Sequence, residues 1–124
     1  MTFGPSETEP SELRGGEALP ALAPRNRVTF SRRELDRIFM LYGRKVAAGE
    51  WRDYAIDFLR DRAVFSVFRR SSEMPIYRIE KNPKLERRHG AYGVVSVTGL
   101  VIKRGHELER VLRVLDRSLS VVVN

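Results

Sequence analysis

An α+β fold, with one antiparallel sheet covered on one face by two amphipathic helices, is predicted by three features of this sequence. Apolar residues recur at helical spacing near residues 35–46 and again at 108–119. Between those segments, short runs alternate with a period of two, as strands with one buried face do. Glycine and Asn-Pro or Thr-Gly pairs punctuate the runs where turns belong.

Each element follows in order. Residues 1–27 are proline-rich and acidic, with Glu7, Glu9, Glu12 and Glu17 and no apolar period, and read as a disordered tail. Ser31 and Glu34 stand at capping-box spacing, with Phe30 and Leu35 placed to staple the helix start. Leu35, Ile38, Phe39, Tyr42 and Val46 continue one face and Gly49 supplies a stop, which predicts a helix over 31–48.

A hairpin comes next. A four-residue loop around Arg60-Asp61 pairs Tyr54 with Val67, Ile56 with Phe65 and Phe58 with Ala63 on one apolar face. The other face gathers Trp51, Asp53, Asp57, Arg62, Ser66, Phe68 and Arg70, with Asp57–Arg62 and Asp53–Arg70 as diagonal partners. Residues 71–74 read as a loop and 75–81 as a third strand, whose leading Pro75 points to a sheet edge. Asn82-Pro83 then opens a short helix over 83–89, stopped by Gly90. Strands over 94–97 and 100–103 flank Thr98-Gly99, so the sheet is a three-strand meander plus a short hairpin. The second helix begins at Leu108 and ends near Leu119, closing a single domain over 28–119. Residues 120–124 form a short apolar tail that either adds a strand to a sheet or frays.

Charge bounds the function. The chain carries a formal net charge of +7, and residues 28–124 hold 20 basic and 12 acidic residues, a net +8. A basic domain attracts polyanions, of which nucleic acid is the commonest. The same arginines spread evenly over the surface would make no patch at all. Cysteine is absent, which removes disulfides and thiolate metal sites. His89 and His106 lack zinc-ligand spacing, and no nucleophile stands near a base. Asp53 and Asp57, about 13 Å apart along a strand, are too distant to share a proton. The reading is a non-enzymatic binding protein with no cofactor and no metal. With no apolar run long enough for a bilayer and no secretory start, it is read as cytoplasmic and free of the membrane.

Two surfaces stand out. The first joins the basic run Lys81, Lys84, Arg87 and Arg88 to Lys103, Arg104 and Gly105, where a strand hands over to a helix. If these segments meet in space, they suit the phosphates of DNA or RNA; if not, they are solvated cations around a turn. The second surface, suited to a protein partner or a homodimer, takes Trp51 and Phe68 on the outer hairpin face and Val121, Val122 and Val123 in the tail. The run from His89 to Val95 misses the RNA-recognition signature, since Ala91 stands where an aromatic belongs.

Several local runs together resemble a known family: Leu41-Tyr-Gly43, Ala47-Ala-Gly-Glu-Trp-Arg-Asp-Tyr-Ala-Ile-Asp-Phe58, Phe65-Ser-Val-Phe-Arg69, Tyr77-Arg-Ile-Glu-Lys81 and Lys103-Arg-Gly-His106. The likeness is to an alphaproteobacterial family catalogued as domain of unknown function 2794, over about residues 28–117. It implies a small bacterial cytoplasmic protein and brings no activity, cofactor or catalytic residue.

Overall fold

Ser31 starts the first helix as its spacing predicts. In the computed structural model, which describes residues 26–70 and 74–123 and side chains as far as Asp116, helix α1 spans Arg32–Ala47. Ser31 Oγ accepts from the Glu34 amide at 3.1 Å, and Glu34 Oε1 accepts from the Ser31 amide at 2.7 Å. Two free amides of the first turn are thereby satisfied, which is worth about 1 kcal/mol. Leu35, Ile38 and Leu41 point inward. The expectations for the tail before Asn26 and for residues 71–73 lie outside the described residues.

Strands β1 (Asp53–Phe58), β2 (Ala63–Phe68), β3 (Tyr77–Lys81), β4 (Tyr92–Ser96) and β5 (Val101–Gly105) form one antiparallel sheet in chain order. Tyr54 opposes Val67, Ile56 opposes Phe65 and Phe58 opposes Ala63, the register that alternation and loop length require. The three-strand meander and the later hairpin join because β3 also pairs with β4, Ile79 opposite Val94. β3 is therefore central, and the edge suggested by Pro75 is corrected. Pro75 stands two residues before the strand, and the Ile76 amide makes the first bond, to the Val67 carbonyl at 2.9 Å.

Helix α2 spans Leu108–Val123 and lies beside α1 on the same sheet face. Phe39 of α1 meets Tyr54 and Phe65 edge-on, with ring centres 5.2 and 5.3 Å apart. Ile38, Phe65, Ile79, Val94, Val111 and Leu115 fill the layer between helices and sheet. Each such side chain contributes about 2 kcal/mol by leaving water. Arg37–Glu109 and Arg44–Asp116 ion pairs tie the helices together, the second at 2.9 Å.

Four further expectations change. Trp51 is 4% exposed and belongs to the core, not to an outer sheet face. The chain turns after α1, the Trp51 amide bonds the Lys45 carbonyl at 3.3 Å, and the ring lies under Tyr42 and the Lys45 ammonium. The helix over 83–89 shrinks to a 3-10 turn at Pro83–Leu85, because the Leu85 carbonyl collects the amides of Arg88, His89 and Gly90 and closes the segment. Arg62 reaches Asp61, at 3.5 Å, rather than Asp57. At the other end, α2 takes Val121–Val123 into helical backbone, so the tail adds no strand; those side chains lie outside the described residues.

Candidate polyanion-binding surface

The turn between β3 and β4 is built to project cations. Asn82 Oδ1 accepts from the Lys84 amide at 3.2 Å, and the shared Leu85 carbonyl rolls the backbone into a knuckle. Lys84, Arg87, Arg88 and His89 are all exposed upon it. Glu86, the one acid in the turn, is held back: it accepts from the Ala91 amide at 3.2 Å and lies 3.1 Å from His106 Nδ1.

That His106 contact marks where the two basic segments meet. Gly90, at φ +100°, rests directly on the end of β5, and a Cβ there would fall 2.1 Å from the Gly105 carbonyl carbon. No side chain fits such a gap. The turn and the β5–α2 junction thus form one end of the molecule.

The predicted residues divide within it. Lys81 faces the helices and is engaged, donating to the Thr29 carbonyl and to Glu34 Oε1, each at 2.9 Å. Glu34 also accepts from the Tyr92 hydroxyl. Burial works against the Glu34 carboxylate, but Tyr92, the Ser31 amide and Lys81 outweigh it and hold its pKa below the ordinary value. Burial and the bond to Glu34 push the Tyr92 phenol up. Lys81 is structural here.

Lys103 and Arg104, consecutive in β5, point to opposite faces as strand residues must. Lys103 pairs across from Val94 on the helix side, while Arg104 lies opposite Gly93 on the outer face. A Cβ on Gly93 would stand 3.0 Å from the Arg104 guanidinium, so the arginine packs flat on that glycine. Gly105 ends β5 and α2 begins only at Leu108, with the Val111 amide bonding the Glu107 carbonyl at 3.1 Å. Gly105 is therefore strand, packed toward Val111, and not the first turn of a helix.

The sequence reading missed Arg110 and Arg113. With Lys103, His106, Val111 and Val114 they line a groove of about 520 Å³ between β5 and α2. Glu107, the acid in the same lining, pairs with Arg110 at 3.1 Å, so the groove's net positive charge rests on Lys103 and Arg113. Their i, i+3 spacing on the polar side of α2 was visible in the sequence, but the neighbour they face was not. Phe68, on the outer face, is half-buried.

Among the described residues, no cluster of three histidines or carboxylates could hold a metal, and no helix is long and apolar enough to cross a membrane. No curated protein and no solved structure matches the chain. One family model does, over residues 28–112, from the entry to α1 through the first turns of α2. The chain belongs to that family, described as protein of unknown function (DUF2794).

Proposed function

We propose that this protein binds nucleic-acid phosphates in the bacterial cytoplasm, with little sequence discrimination, through the end of the molecule that carries Lys84, Arg87, Arg88 and Lys103. The observation that supports this reading is the seat of Gly90 on Gly105, which sets the basic turn beside the positive groove. Phosphate contacts of this kind give affinity without reading bases. Lys81 contributes to the fold instead, and Arg104 acts from the outer face.

Anisotropy with labelled single- and double-stranded DNA and RNA, across about 50–200 mM salt, tests the reading. Affinity should fall linearly on a log–log plot. Reversing Lys84, Arg87 and Arg88 to Glu together should weaken binding at least about tenfold and flatten the slope by roughly one unit per lost contact. Unchanged affinity would remove the turn from the interface.

A second reading, a protein-interaction module, finds support at a different place from the one expected. Trp51 is in the core, but Val97, Leu100, Val101 and Ile102 are exposed together on the β4–β5 hairpin, Leu100 at 68%. A cluster of this kind is uncommon on a surface with no partner.

A further inference from the structure

The two edges of the sheet differ in a way that points to a ligand. β1 exposes Asp53 and Asp57 along its edge, the charged protection usual for unpaired strands. β5, the opposite edge, has no strand on its outer side among the described residues. Beside it runs the groove between β5 and α2, where Lys103, Arg110 and Arg113 outnumber the acid Glu107, which is paired with Arg110. Val101, opposite Val95 on the outer face, is exposed, and so is Ile102 next to it in the chain. A free strand edge alongside a helix, with a groove between them, is the arrangement used for capture of extended peptides by strand addition.

We infer that β5 takes up an extended acidic peptide as a sixth strand, whose alternate side chains enter the β5–α2 groove. The pleat dictates the pattern of that peptide. Residues on the helix side meet Lys103, Arg110 and Arg113 and are acidic, while those between them meet Val101 and the stem of Arg104, which lies flat on Gly93, and are apolar. The register shift between Val94 and Val95 makes Ile102 an extra residue in β5 and bends the strand there. Pairing therefore concentrates on Lys103–Gly105, and the recognised segment is short. β1 would repel the same peptide through its aspartates. The inference shares Lys103 with the nucleic-acid reading but stands on the free β5 edge and on Arg110 and Arg113, so a variant of the basic turn separates the two.

The probe is a fluorescein-labelled, acetylated octapeptide of alternating valine and glutamate, added to the full chain. Anisotropy should show saturable binding, and the amides within Lys103–Gly105 that point away from β4 should slow in hydrogen exchange at least tenfold. N-methylation of alternate peptide amides should weaken binding at least tenfold, because it removes the donors of strand pairing and leaves the charges. Arg110→Glu with Arg113→Glu should do the same, with circular dichroism as the check on folding. Lys84→Glu with Arg87→Glu and Arg88→Glu should change peptide affinity less than threefold, whatever it does to oligonucleotides. Equal binding of the N-methylated peptide or of an all-glutamate octamer would overturn the inference in favour of charge attraction alone. Absence of binding, or protection at β1 instead of β5, would overturn it as well.

Discussion

The two ends of the sheet treat side chains of similar chemistry in opposite ways. Over β1 and β2 the aromatics pack on one another: Phe39, Tyr42, Trp51, Tyr54 and Phe65 form one cluster in which Trp51 and Phe65 are buried, and Tyr54, exposed at its rim, stacks on Phe65 at 5.2 Å. Even a lysine is consumed there. Lys45 is 2% exposed and donates to the Leu115 carbonyl at 2.8 Å, and its burial draws its pKa below the ordinary value. At β4 and β5, valines, a leucine and an isoleucine remain in water, and Lys84 and Lys103 have no ion-pair partner among the described residues. One end spends its chemistry on folding, and the other keeps it available.

The sharpest break of that contrast is Gly90→Ala. The new methyl would meet Gly105 backbone, which cannot retreat as a side chain can, at a φ that L-residues avoid. Strain and overlap together should cost about 5 kcal/mol, or prevent folding, as read by urea denaturation. The closed end should respond next: Trp51→Ala should lose about 3–4 kcal/mol by leaving a cavity under Tyr42. A loss below about 1 kcal/mol would mean that Trp51 is not core.

The Glu34 cluster, between the two ends, offers a pH test. Its folded pKa is depressed, so its contribution is complete above the ordinary value of 4.5 and is lost as pH falls through the folded value. The unfolded chain takes up the proton first in that window. Glu34→Gln should cost about 2 kcal/mol near pH 7, since Lys81 loses its charged acceptor. The gap to the unsubstituted protein should close as the pH drops below 4.5. A gap independent of pH would deny the carboxylate this role.

The smallest effect is expected at Gly93→Ala. There the methyl meets only the far end of Arg104, at 3.0 Å, and a flexible guanidinium can move aside. Stability should change by less than about 1 kcal/mol, against the large loss at Gly90. Similar losses at both glycines would show that Arg104 is as rigid as backbone.

The sequence by itself determined the elements whose causes are local. The capping box at Ser31 and Glu34 is satisfied within four residues, and period-two alternation with a short loop leaves the β1–β2 hairpin one register that buries Phe65 and Ile56. The basic turn was also visible, as a run of cations after Asn82-Pro83. Tertiary structure decided what each exposed-looking residue meets. Trp51 sits between two elements, where no period assigns a face, and only the chain's turn beneath α1 buried it. Lys81 and Lys103 are the same residue type in neighbouring basic segments, yet Glu34 reaches one and not the other. Arg110 and Arg113 became the wall of a groove only when α2 settled beside β5. Helical and strand periods describe distances along a few residues, whereas a site depends on contacts between segments far apart in the chain.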